Sequence, residues 1–174
     1  MADTIHAFTS QATGIAKQLR SDVYISDALK SQDVSAQTLH KSVAVWDTGA
    51  VKSCISESLA QNMGLVSVGK TRQFGVGGSC ETERYIVDLI LPNKVRCANV
   101  VVNSGKFTDF GILIGMDIIS AGDFAISNFE GKTTFTFRLP SQETIDFCKQ
   151  VSDMKKTATI KHVHGPGKRK KKKK

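Results

Sequence analysis

Apolar and polar residues alternate along much of the chain with the two-residue period of half-buried strands. Val23 and Ile25 alternate with Asp22 and Tyr24, so residues 19–25 read as a strand, preceded by another over residues 5–9. Residues 43–46 form a short apolar run that stops at Asp47-Thr48-Gly49, as a buried strand stops at a turn. The pattern then changes. Residues 56–63 predict a helix, with Ser56 able to accept a free first-turn N–H and Gly64 able to end it in a left-handed conformation. A strand over residues 72–76 leads into Gly77-Gly78, and Tyr85, Val87, Leu89 and Leu91 share one face of the next, stopped by Pro92. Residues 95–102 are rich in valine and extend the series. Ile112, Leu113 and Ile114 make a second buried run, ended by Gly115, with a short helical turn over residues 116–120. Residues 124–126 and 133–139 predict a hairpin about residues 128–131, with Thr133, Phe135, Phe137 and Leu139 on one face. A terminal helix over residues 141–151 would be capped by Ser141 and bury Ile145, Cys148 and Val151. From Ser152 apolar residues thin out, and Gly165-Pro166-Gly167 breaks regular structure. The expectation is an all-β domain with short helices over residues 1–151 and a polar, Lys-rich disordered tail over 152–174.

Composition supports folding but separates the charge from the fold. Hydrophobic residues are 40% and charged residues 23% of 174, which is globular usage. No apolar run approaches the ~18 residues of a membrane-spanning helix. The net charge of +8 invites a nucleic-acid reading. Yet residues 168–174, which are Lys168, Arg169 and five lysines ending at Lys174, are all basic. Without them 17 basic residues face 16 acidic ones, a net +1 over residues 1–167. A block of like charge is a solvated tail, or a salt-sensitive attachment to nucleic acid or an acidic surface. No aromatic residue interleaves with it to stack on bases.

Cys54, Cys80, Cys97 and Cys148 form no C-x-x-C pair, and His6, His40, His162 and His164 do not complete a metal-ligand spacing, so no metal or other cofactor is implied. Neither His6 nor His40 has the context of a partner for a nucleophilic cysteine. Residues 1–20 carry Asp3, Thr4, Ser10, Gln11 and Gln18 with no apolar signal-peptide core, which points to reduced thiols in the cytoplasm. In a eukaryote the basic tail would also serve as a nuclear address. The segment Phe74-Gly75-Val76-Gly77-Gly78 lacks the Lys-Ser/Thr ending of a phosphate loop and reads as a hairpin tip.

Asp47-Thr48-Gly49-Ala50 carries the candidate chemistry. A carboxylate at a strand-to-turn junction can face a cleft, and glycine permits the sharp bend. The tripeptide alone arises by chance in about one chain in fifteen of this length, and an Asp-initiated turn is the plain structural alternative. Order adds weight. Val43 to Ala50, then Cys54-Ile55-Ser56 and a helix, then the glycine-rich segment, then Ile112-Leu113-Ile114-Gly115-Met116-Asp117, resembles the retropepsin-like aspartic proteases over about residues 40 to 127. Ala50 resembles the viral-type and bacterial branch.

That resemblance implies a retropepsin-like acid protease fold, a single lobe closed much like a β-barrel. It implies an aspartic endopeptidase acting on polypeptides without a cofactor. One copy of the tripeptide in a chain too short for two lobes implies a homodimer, with Asp47 from each subunit forming the catalytic dyad. Thr48 would hydrogen-bond across the dyad, Gly49 would bond the carboxylate through its N–H, and Ala50 would lie beside bound peptide. Gly75, Val76, Gly77 and Gly78 would form the flap tip over substrate. Gly115 would pack behind the loop, with Asp117 capping the helix that follows. Three departures stand out: the bulk of Trp46 before the aspartate, a flap with only Phe74 and Val76 as apolar residues, and a helical segment after residue 141 where viral proteases place a dimerising strand. The competing functions are a non-catalytic peptide-binding or dimerisation module of this fold, and a nucleic-acid-associated protein that relies on its tail.

Overall fold

The computed structural model describes residues 4–29, 38–75 and 78–163. The strands are β1 His6–Gln11, β2 Leu19–Asp27, β3 His40–Trp46, β4 Cys54–Ser56, β5 Gly69–Gly75, β6 Gly78–Ile90, β7 Arg96–Gly105, β8 Ile112–Ile114, β9 Asp123–Ser127 and β10 Thr134–Leu139. The helices are α1 Glu57–Asn62, α2 Met116–Ile119 and α3 Phe147–Val163. Chain contacts divide the protein into a unit of residues 1–143, which holds the ten strands found among the described residues, and a unit of residues 144–174.

In the first unit, β2, β3, β8, β4, β7 and β6 are paired in that order, and β6 pairs back to β2, so six strands close into a ring. The 13 residues of β6 make closure possible. Its outer half pairs with β5 from Arg84 to Gly78, and its inner half pairs with β7 and, from Val87 to Ile90, with β2. A bulge between Val87 and Leu89 turns the strand inward. It also buries Asp88, whose carboxylate takes a 2.7 Å bond from Arg96 and a 2.8 Å bond from the Asn99 N–H. Simple alternation had not placed Asp88 inside.

A three-stranded antiparallel sheet, ordered β1-β10-β9, packs its inner face against the ring. Phe8, Phe135 and Phe137 from this sheet join Val23, Ile25, Val87, Leu89, Ile112 and Ile114 in one apolar core. Trp46 is the pin between the layers. Its ring stacks on Phe124 at 5.5 Å and lies 5.0 to 5.7 Å from Phe8, Phe135 and Phe137. Its indole N–H donates to Ser21 Oγ at 3.0 Å, so the buried ring leaves no polar group unpaired. The bulk of Trp46 therefore fills the interior behind the Asp47 turn.

Most of the expected elements stand where the pattern put them, with ends moved by a few residues. The Ser56 side chain accepts the Leu59 N–H, and Gly64, at φ 60°, ends α1 with Leu65 N–H bonded back to Ala60. Strand β4 had no signal, because three residues are too few to show a period. The terminal helix needs correcting. Residues 141–146 are not helical, because Ser141 Oγ and the Gln142 N–H both bond Asp123. The cap is instead Asp146, whose carboxylate accepts the Lys149 N–H at 3.0 Å. From there α3 runs through residue 151, the expected domain boundary, to Val163. Ile145, Cys148 and Val151 are exposed rather than buried, since the second unit offers them no second apolar layer. The basic residues 168–174 lie outside the described residues. No described helix is long and apolar enough to cross a membrane.

Two stability predictions follow from these contacts. Trp46→Ala should cost about 3–5 kcal/mol, read from urea unfolding, because it empties the contact between the two sheets. Bonds from Ser141, Gln142 N–H and Arg138 hold the Asp123 carboxyl well below the ordinary carboxylate range. Its contribution is thus full above the unfolded-state value near pH 4 and is lost as pH falls towards the folded-state value. Asp123→Asn should lower the thermal midpoint at neutral pH and narrow the gap to wild type as acid is added below about pH 4.

Candidate active site

Asp47 follows the last residue of β3. There β3 and β8 run parallel, with Val45 opposite Leu113 and Trp46 opposite Ile114. The Asp47 N–H continues the ladder by donating to Ile114 O at 2.9 Å, so the carboxylate emerges at a fixed point. The turn then closes on itself. Gly49 N–H donates to Asp47 Oδ1 at 2.8 Å, and Ala50 N–H to Asp47 O at 3.2 Å. A side chain on Gly49 would sit 3.2 Å from Asp47 Oδ1, tight against the acceptor its own N–H serves. Thr48 is exposed.

Gly115 fixes the turn from behind. A Cβ there would lie 2.8 Å from Ala50 O and from the Lys52 carbonyl carbon, which are backbone atoms with no freedom to swing away. Met116 N–H donates to Ala50 O at 2.8 Å. Ser53 is fully buried, and its hydroxyl accepts Gly115 N–H at 3.0 Å while donating to Asp117 Oδ1 at 2.7 Å. Asp117 also accepts Ser53 N–H. The expected capping role of Asp117 is corrected here. Gly115 holds the cap position of α2, so Asp117, inside the first turn, reaches across to Ser53 instead.

The flap-like hairpin is β5 and β6, with Gly75 opposite Gly78. Val76 and Gly77, expected at its tip, lie outside the described residues. Gly78 adopts φ 108°, which favours glycine. Phe74 is 77% exposed, an apolar ring presented near the tip. Gln73 ties the hairpin to the segment after the turn through a 3.4 Å contact from Nε2 to Cys54 Sγ. A cleft of about 410 Å³ lies at the hairpin, lined by Glu57, Phe74, Cys80, Thr82 and Lys106 among others. Thr82 Oγ1 is buried there with no hydrogen-bond partner among the described residues. Asp47 is not part of that lining.

Four aspartates separate into two kinds. Asp88, Asp117 and Asp123 each take bonds from at least two groups, among them N–H groups, hydroxyls or guanidinium. Asp47 is half-buried and accepts one bond, on Oδ1; its Oδ2 has no partner among the described residues. The first three are structural anchors. Of these four, Asp47 is the one with an oxygen left open. The cysteines offer less. Burial pushes the Cys54 thiol up and the Cys97 thiol up to about 11, away from the nucleophilic thiolate. Among the described residues no three His, Cys, Asp or Glu side chains gather to hold a metal ion.

No family model matches the sequence, and no curated protein matches it. Structures do. The crystal structure of a retropepsin-like aspartic protease from Rickettsia conorii superposes with a TM-score of 0.51 at 12% identity, over 78% of this chain and 96% of that one. The chain has a retropepsin-like fold. The solution structure of simian foamy virus (mac) protease also matches, with a TM-score of 0.39 at 16% identity, over 59% of this chain and 92% of that one.

Within this retropepsin-like fold the sequence had picked out Asp47, Thr48, Gly49 and Ala50 as one turn, and the structure brings Gly115 against it. It missed Ser53 and Gln73. A lone buried serine and a glutamine on a flap arm carry no periodic signal, and their use shows only when three segments meet. Ser53→Ala removes a donor and an acceptor at once. It should lower stability by about 1–3 kcal/mol in urea unfolding, because Gly115 N–H loses its acceptor and Asp117 Oδ1 keeps only the backbone N–H of residue 53.

Proposed function

We propose that the protein is an aspartic endopeptidase whose active site forms when two copies bring their Asp47 carboxylates together. The observation that carries this reading is the unsatisfied Oδ2 of Asp47 on a turn fixed by backbone bonds on both sides. The retropepsin-like fold supports it. The bond from Gly49 N–H would also serve a plain Asp-initiated turn. What such a turn does not need is the set of contacts from Gly115, Ser53 and Asp117 that hold it in place.

Two carboxylates about 3 Å apart cannot both ionise, so the pair shares one proton. The ionised member takes a proton from a water held between them, while the protonated member donates a hydrogen bond to the scissile carbonyl. Water oxygen bonds to the carbonyl carbon as the C=O π bond opens and the protonated member passes its proton to the carbonyl oxygen, giving a tetrahedral diol. A proton then passes to the amide nitrogen, the C–N bond breaks, and a carboxylic acid and an amine leave. Gly49 N–H orients one carboxylate oxygen. The Thr48 hydroxyl, exposed in the single chain, would bond to the partner's turn. Ala50 would border the peptide, with Gly75, Val76, Gly77 and Gly78 closing over it and excluding water. An extended peptide would lie between the flaps and the cleft floor.

Because the pair works with one shared proton, cleavage should peak on the acid side of neutral. Asp47→Asn should abolish release of products from a peptide library at mildly acid pH while leaving the thermal midpoint within a few degrees of wild type. Identical products from both proteins, or none from wild type, removes the catalytic reading and leaves a peptide-binding module of the same fold.

A further inference from the structure

We propose that the pocket between the start of β1 and the Pro92–Lys94 turn binds a phosphate monoester, a phosphate group carried on a small apolar body. Such a site needs neither a second copy of the chain nor peptide cleavage.

The pocket has a volume of about 340 Å³, and its polar wall is Thr4, His6, Lys94 and Arg96. None of the residues lining it is acidic. Three segments bring the polar side chains together. His6 opens β1, Arg96 opens β7, and Lys94 ends the turn between β6 and β7. Asn93 Nδ2 donates to Ala7 O at 3.0 Å, which ties that turn to β1 beside His6. Arg96 is anchored from the other side. Its Nη2 donates to Asp88 Oδ2 at 2.7 Å, and Asp88 is buried and also held by Asn99 N–H. A guanidinium carries five N–H donors in one rigid plane, so this bond leaves donors for a ligand. The side chains of His6 and Lys94 have no hydrogen-bond or ion-pair partner among the described residues.

The turn itself does not account for its lysine. Asn93 and Lys94 both adopt positive φ, 54° and 61°. Asparagine tolerates this conformation, whereas the Cβ of a lysine is crowded in it. Backbone bonds from Leu91 N–H to Val95 O at 2.8 Å and from Val95 N–H to Pro92 O at 3.3 Å close the loop without any side chain. A glycine would close it with less strain. What the lysine adds is an ammonium on the wall that carries Arg96. Like charges set together repel until an anion joins them.

The donors favour a phosphate over a carboxylate. A carboxylate offers two oxygens and one charge. A phosphate monoester offers three free oxygens and up to two charges, which suits an ammonium, a guanidinium edge, an imidazole and a hydroxyl. The room favours a monoester over the bare ion. The pocket volume is roughly ten times the liquid share of one water, more than phosphate alone fills. The rest of the wall is apolar, made by Val95, Leu139 and Pro140, and would face the organic body.

The test is a titration of the full chain with phenyl phosphate at constant ionic strength, read from backbone amide signals in NMR spectra. The amides of residues 4–6 and 94–96 should shift and saturate. Inorganic phosphate, which lacks the apolar body, should act on the same amides several-fold more weakly. Lys94→Gln should weaken phenyl phosphate about tenfold and His6→Gln several-fold. Both remove side chains without partners in the free protein, so the thermal midpoint should stay within a few degrees of wild type. Arg96 is left in place because it also holds Asp88. Shifts confined to residues 168–174, equal affinity for inorganic phosphate, or unchanged affinity in Lys94→Gln overturns the site. None of these outcomes depends on Asp47, so this site and the protease reading fail separately.

Discussion

The N–H of Asp47 donates to the Ile114 carbonyl, and that bond ends the parallel pairing of β3 with β8. Two strands far apart in sequence stop at the same level there, one in Asp47 and the other in Gly115. The turn that follows β3 and the helix that follows β8 are therefore forced into contact. Gly115 is needed because the backbone of residues 50 and 52 occupies the space a side chain would take. Ser53 and Asp117 exist in the same contact. Ser53 is buried between the two segments and Asp117 half-buried, and each side chain satisfies groups that burial would otherwise leave without partners. Trp46 secures the other side of the pairing by filling the space between the ring and the three-stranded sheet. The position of the carboxylate is thus a result of packing on both faces rather than of the turn alone.

What the sequence made legible was what has a period or a punctuation mark. β2, β3, β8 and the β9–β10 hairpin show as apolar runs or alternations bounded by turn residues. The ends of α1 show in Ser56 and Gly64. The site showed as an order of segments, with Asp47, the glycine-rich hairpin and Ile112 to Gly115 following one another. What stayed hidden depends on tertiary partners. β4 is three residues long and exists because β7 and β8 lie on either side of it. Asp88 is inside because a bulge turns it there. Ser141 looks like a helix cap, but Asp123 claims its hydroxyl, and Asp146 takes the role five residues later. Asp117 was recognised as a polar residue with local work to do. Its bond goes across the fold because the cap position belongs to a glycine. In each case a local preference met a stronger partner from another element.

The whole-chain charge illustrates the same separation of scales. Residues 1–167 carry a net charge of +1, and residues 168–174 carry the rest of the +8. Every side chain that shapes the Asp47 turn lies before that block. The ten strands and the Asp47 turn therefore belong to a nearly neutral stretch of chain, and the basic block stands apart from them in the sequence.

Aspartates serve this fold as fasteners wherever donors surround them: two for Asp88, the hydroxyl and N–H of Ser53 for Asp117, and the groups from Arg138 and residues 141–142 for Asp123. Such a carboxylate is stabilising because each lone pair lost to water is replaced. Asp47 breaks the rule. It sits on a turn fixed by backbone bonds and receives one donor among the described residues. A protein that needed only the turn could keep the Gly49 bond with an asparagine or a serine. Placing a half-buried charge there, with an oxygen left open, adds a desolvation cost and no additional internal bond. That cost is repaid only if another group meets the open oxygen. On the reading proposed above, that group is the same carboxylate from a second copy, with one proton and one water between them.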